Sequence, residues 1–214
     1  MKQFFSQKSY RAFLILFGIF WVIFFALSIT YPKLSLHAHL NSFHFQLFDF
    51  FFKYITHLGD GIFAIVLVLL FFVFKNRRLS FYILISFILT SMFVQGLKNY
   101  VFSDFMRPYF YIEQGLINVP LVNDVQMHKQ HSFPSGHSTT IFALATILSL
   151  HFKSYRTGIM LFFISIFTAY SRVYLSQHFI QDVLAGSMFG VVFSSIIYIY
   201  LEKRKIKQLN NSPK

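Results

Sequence analysis

The chain has 214 residues, of which 56% are hydrophobic, 21% aromatic and only 12% charged, and it carries a formal net charge of +12. A soluble domain normally has about twice that charged fraction, and a basic nucleic-acid-binding protein does not carry its charge on so apolar a body, so membrane residence is the class that remains. There is no cysteine, which rules out disulfides, thiolate chemistry and cysteine-based zinc sites and leaves the redox compartment unreadable.

A bilayer core about 30 Å thick takes roughly 20 apolar residues per helix. Six stretches answer to that description: about 11–31, stopped by Pro32, then 60–74, which is short, then 79–102, 134–152, 157–174 and 179–201. The expected fold is all-α, an integral membrane bundle of six transmembrane helices forming one domain over 1–214, with no room for a separate soluble domain. Ala26-Leu27-Ser28 loosely resembles a signal-peptidase site, but the length of that apolar stretch and the five spans after it favour an uncleaved first helix.

Between the first two spans, Ser42, Gln46, Asp49, Lys53, Thr56, His57 and Asp60 recur at three- and four-residue steps through an otherwise apolar run. That pattern predicts an amphipathic helix at the outer membrane surface, with Asp49 and Lys53 supporting each other at i, i+4. A plain packing helix fits the same pattern.

The basic residues sort by side. With the N-terminus inside, thirteen of the nineteen Lys and Arg fall on one side (Lys2, Lys8, Arg11, Lys75, Arg77, Arg78, Lys153, Arg156, Lys203, Arg204, Lys205, Lys207 and Lys214) together with the one acid Glu202. The other side receives Lys33, Lys53, Lys98, Arg107, Lys129 and Arg172, balanced by six acids. The positive-inside rule then places both termini in the cytoplasm.

Two polar strings lie at the outward ends of apolar helices, where charge is costly unless it has a task. Pro134-Ser135-Gly136-His137 opens the 134–152 stretch. Proline suits a first helical turn, and serine and glycine leave backbone N–H groups uncovered, so the string makes an anion site with a histidine beside it. In the 171–182 segment, His178 and Asp182 stand four apart at the start of the last span, on one helix face. A carboxylate there can fix one imidazole nitrogen and leave the other as a nucleophile, while Arg172 offers a fork of donors for phosphate. Lys98 and Arg107-Pro108 follow the 79–102 stretch. His128 and His131, with two residues between them, read as solvated loop residues rather than metal ligands, and the thirty-two phenylalanines as lipid-facing bulk and helix packing.

These three segments, 98–108, 134–137 and 171–182, resemble the signature motifs of the type-2 phosphatidic acid phosphatase family in order and in approximate spacing. The first departs from the family pattern: eight residues separate Lys98 from Arg107, against the usual six. The resemblance implies hydrolysis of a lipid phosphomonoester or diphosphate through a phosphohistidine, without metal or other cofactor. By that resemblance His178 is the nucleophile, Asp182 its orienting carboxylate and His137 the acid. Lys98, Arg107, Ser135, Gly136 and Arg172 hold the phosphoryl oxygens.

The expected protein is a lipid phosphatase of the cytoplasmic membrane, with its site facing the periplasm or exterior. Its partners are the bilayer and a phosphorylated lipid such as lipid A, undecaprenyl diphosphate, phosphatidylglycerol phosphate or phosphatidic acid, and no nucleic acid. Lipid-to-lipid phosphotransfer through the same site stays open as an alternative, and so does a non-catalytic anionic-lipid transporter or scaffold.

Overall fold

The computed structural model describes residues 7–211, and these form helices and no strand. In chain order they are α1 (Lys8–Thr30), α2 (Lys33–Leu40), α3 (Gln46–Ile55) followed by a 3₁₀ turn (Thr56–Gly59), α4 (Gly61–Val73), α5 (Arg77–Gly96) running into a π-helical turn (Leu97–Val101), α6 (Pro108–Glu113), α7 (Gly136–His151), α8 (Tyr155–Tyr174) and α9 (Ile180–Asn211).

Helix α7 is the axis of the bundle. It touches α1, α4, α5, α8 and α9, and its run of Ala, Ser and Thr is almost wholly buried. Small residues on the partner allow that closeness. A Cβ at Gly186 of α9 would lie 2.3 Å from the Ser135 carbonyl oxygen, and one at Gly190 would lie 2.6 Å from that of Thr139. Two glycines four apart thus let α9 seat on α7, the small-residue packing that membrane helices use in place of a hydrophobic driving force. Against lipid, the bundle turns out bulk: Ile15, Ile19 and Val22 of α1, Ile62 and Leu69 of α4, and Phe163 and Phe167 of α8 are all exposed, far more apolar surface than a protein leaves facing water.

Among the described residues four helical segments are long and apolar enough to cross a membrane: Lys8–Thr30, Arg77–Val101, Tyr155–Tyr174 and Ile180–Lys205. A fifth is possible if Gln46–Gly59 and Gly61–Val73, bent by 60° at Asp60, count as one span. The stretches read from sequence as 60–74 and 134–152 form helices of 13 and 16 residues, about 20 and 24 Å long at 1.5 Å per residue. Pro134 lies outside α7 rather than in its first turn, after a cis Phe133–Pro134 bond, so the helix starts at Gly136 with Ser135 as its cap. Helix α9 continues about ten residues past the expected end at 201.

The two ends of the bundle differ. At one, Asn76 lies beside His151, Arg78 pairs with Glu202, and Gly158 packs on Ser9, so the basic turns around 75–78 and 153–156 meet the start of α1 and the 202–205 part of α9. At the other end sit α2, α3, the 102–135 connection and the 175–179 turn. The 33–60 region forms two helices, α2 and α3, and a 3₁₀ turn, so the Ser42–Asp60 stripe runs over α3, that turn and the residues at either end. Asn41, fully buried between the two helices, donates from its amide to the Val173 carbonyl and Ser176 Oγ, which ties the break to the end of α8. The expected Asp49–Lys53 pair does not form. Asp49 accepts from Tyr174 at 2.5 Å and lies 3.0 Å from His44 Nδ1, whereas Lys53 donates to Asp124 and to the Asn123 carbonyl. Tertiary partners on α8 and the long connection outcompete a helix-surface pair that is worth only a few tenths of a kcal/mol.

Candidate active site

Local rules set the first pair. Asp182, in the opening turn of α9, reaches back to accept the Phe179 N–H at 2.9 Å, the reciprocal arm of a capping box. The same oxygen accepts from Ser132 Oγ at 2.5 Å and lies 3.4 Å from His178 Nδ1. Just upstream, Ser176 takes a positive φ of 50°, and the N–H groups of Gln177 and His178 both fold back onto the Arg172 carbonyl. The turn therefore holds the imidazole by its backbone and by Nδ1, leaving Nε2 uncommitted. His178 is 2% exposed and Asp182 1%.

Cations gather around that pair. Burial, followed by the charges of Arg107, Lys98, Arg172 and His137, pushes the His178 pKa well below its ordinary 6.5, so all four groups lie near enough to oppose its protonation. Arg107 donates through Nε to the Gln130 carbonyl and through Nη1 to that of Gln177, and its burial lowers its pKa against a restoring attraction from Asp182. Lys98 is buried and donates to the His131 carbonyl, on which Arg107 Nη2 also converges. Lys98 sits in the π-helical turn that ends α5, and the eight residues between it and Arg107 finish that turn and loop back to α6. Arg172 is buried, donates through Nη1 to Thr56 Oγ1 at 2.8 Å, and leaves its Nε with no partner among the described residues. An unpaired buried guanidinium nitrogen is costly unless an anion completes it.

The Pro-Ser-Gly-His string faces the same centre. Ser135 caps α7, its Oγ accepting from Ser138 N–H and Oγ–H. Its own N–H is not free as the sequence suggests, because it donates to the Asp182 carbonyl. Gly136 keeps an uncovered N–H at the first position of α7. His137 Nε2 lies 2.6 Å from Asp60 Oδ1, and Asp60 Oδ2 lies 2.8 Å from His57 Nδ1. Arg172, His137, Asp60, Thr56, His128 and Gln177 line a cavity of about 210 Å³. Asp60 and His137 also form part of the wall of a second cavity of about 290 Å³, toward Gly136, Thr139 and Gln95.

All eight sequence-derived site residues thus lie at one end of the bundle, around one centre. Four contributors were not visible as such. Asp60 was assigned to an amphipathic stripe, although an acid at the threshold of an apolar run was a signal. Thr56 and Ser132 carry no motif. Lys33, whose Nζ sits 3.9 Å over the Phe179 ring, has its pKa lowered by burial and partly restored by Asp182.

A family model described as the PAP2 superfamily matches residues 79–206. A lipid A 1-phosphatase of Rhizobium johnstonii is 40% identical over 68 residues, covering 32% of this chain and 27% of that protein. The matched segment is thus little more than a quarter of that relative's length. A lipid A 4'-phosphatase of Porphyromonas gingivalis is 23% identical over 176 residues, 79% of this chain and 73% of that protein. Among solved structures, Aquifex aeolicus LpxE superposes with a TM-score of 0.68 at 27% identity, over 78% of this chain and 95% of that one.

Proposed function

The chain belongs to the PAP2 superfamily, and from that premise we propose that it is a multi-pass membrane lipid phosphatase working through a phosphohistidine at His178. The observation that carries this reading is the buried His178–Asp182 pair with the charges of Lys98, Arg107 and Arg172 acting on the imidazole. An imidazole kept neutral by that surrounding is a nucleophile at neutral pH, and the same cations offset the charge of a phosphoryl group in flight.

In the first step His178 Nε2 forms a bond to phosphorus while the bond from phosphorus to the lipid oxygen breaks, and His137 gives its proton to that oxygen. Asp182 holds Nδ1 and compensates the charge left on the ring. In the second step water attacks the phosphohistidine, His137 takes the proton of that water, and inorganic phosphate leaves with the imidazole restored. Lys98, Arg107, Arg172 with its unpaired Nε, Ser135 and the Gly136 N–H hold the phosphoryl oxygens. No step calls for a metal.

The substrate class is a phosphorylated lipid whose headgroup reaches the site from the bilayer surface. Lipid A is the first choice because of the relatives' names, ahead of undecaprenyl diphosphate, phosphatidylglycerol phosphate and phosphatidic acid. We place the site at the outer face of the cytoplasmic membrane with both termini inside, count α4 and α7 as full members of a six-helix bundle, and lay α3 along the interface with Phe50, Leu47 and Tyr54, all exposed, toward lipid. Purified protein assayed against the four lipids for phosphate release tests the reading. Wild type should act on at least one, His178→Ala on none, and a chelator should leave the rate unchanged. Full activity in His178→Ala removes the proposed nucleophile.

A further inference from the structure

The turn joining α3 to α4 stands outside the three motifs, yet three of its residues touch the site. Thr56 Oγ1 accepts from Arg172 at 2.8 Å. Gly59 lies so near α7 that a Cβ there would be 2.9 Å from His137 Cβ and 3.0 Å from its carbonyl oxygen. Asp60 meets His137 Nε2 at 2.6 Å with one carboxylate oxygen and His57 Nδ1 at 2.8 Å with the other.

We propose that Asp60 is the positioning residue of the acid, doing for His137 what Asp182 does for His178. The inference rests on the reading of His137 as proton donor. A carboxylate on Nε2 fixes the tautomer and ring plane, and the donating nitrogen is then Nδ1, which has no hydrogen-bond partner among the described residues. Each carboxylate oxygen of Asp60 is taken by one histidine, so the carboxylate plane is held from both sides. The groups around the imidazole explain why a carboxylate is needed. Burial first, then Arg172 from α8 and Lys98 from the end of α5, oppose a proton on the ring, and Asp60 is the group that favours one; Lys53, His57, Asp124 and His128 line the same cavity. Without Asp60, two fixed cations would oppose the protonated ring that acid catalysis requires. Gly59 is what brings the turn near enough: any side chain there would push Asp60 away from α7.

A comparison of leaving groups tests this, because an acid matters when the departing oxygen is a poor leaving group and hardly at all when it is an acidic phenol. Wild type, Asp60→Asn and Asp60→Glu are assayed in detergent on a lipid alkyl phosphate and on p-nitrophenyl phosphate. Asp60→Asn should lose about ten- to a hundredfold in kcat/KM, which reads the steps up to departure of the leaving group, on the alkyl phosphate and less than about threefold on the aryl phosphate, with Asp60→Glu recovering part of the loss. Retention of the aryl activity shows that the variant is folded. Equal losses on both substrates, or an unchanged or faster rate on the alkyl phosphate, overturn the proposal. His178→Ala should lose both activities. If it does not, the phosphohistidine reading fails, whereas the Asp60→Asn substrate ratio reports on acid catalysis alone.

Discussion

His178 takes its chemistry from where it is buried. A free imidazole is half-protonated near pH 6.5, but burial and the facing cations keep this one neutral well below that. The linkage has a definite sign. The unfolded chain binds a proton at about pH 6.5 that the folded site refuses, so the site's contribution to stability is complete above that pH and is lost as pH falls toward the folded value. The melting temperature in detergent should therefore drop between pH 7 and pH 5, and less steeply in His178→Ala. An unchanged slope in that variant would count against the burial account. Ser132 makes a second residue-scale case. Its hydroxyl donates at 2.5 Å to a carboxylate that is 1% exposed, and a lost hydrogen bond to a buried charge costs about 1–3 kcal/mol. Ser132→Ala should lower thermal stability by an amount in that range and reduce turnover, since the Asp182 carboxylate is then held by the Phe179 N–H and His178 alone.

Helices α7 and α9 carry the two halves of the site, and their separation is set by glycine. Gly186 faces the carbonyl of Ser135, the cap of α7, and the Ser135 N–H returns to the Asp182 carbonyl on α9. Widening that contact separates His137 from His178 without touching either. Gly186→Ala should cost about 1–3 kcal/mol by overpacking and depress kcat. Gly18→Ala in α1, where a Cβ meets nothing within 4 Å, should be stable and active. Comparable activity in the two variants would show that the α7–α9 spacing does not govern the reaction. The end of α5 works at the same scale: Lys98 is buried there and shares the His131 carbonyl with Arg107 despite a linker longer than the family pattern, which no count of intervening residues could reveal.

Across the whole molecule, the net charge of +12 becomes a polarity. The basic turns and the Arg78–Glu202 pair lie at one end, and the near-balanced site end lies at the other. Because the natural chain has no cysteine, single cysteines can report which end is which. Leu116→Cys, in the exposed connection at the site end, should react with a membrane-impermeant maleimide on intact cells, and Lys153→Cys at the other end should react only after lysis. The reverse pattern would invert the proposed topology and place the site in the cytoplasm.

The sequence by itself determined the class, the apolar stretches, the sorting of basic residues and the His178–Asp182 unit. Each depends on composition or on neighbours within one helical turn, where periodicity fixes who meets whom. Tertiary structure decided the rest. Asp49 and Lys53, neighbours on one helix face, separated because partners on α8 and the long connection offered better contacts. Asp60 and Thr56 entered the site from a segment distant in the chain, and Ser132 through its bond to Asp182 fifty residues on, pairings that no local spacing encodes. The 134–152 stretch shortened to a 16-residue helix with Ser135 as its cap, a start held by the Ser135 N–H on the Asp182 carbonyl of α9, a partner nearly fifty residues away that no local pattern encodes.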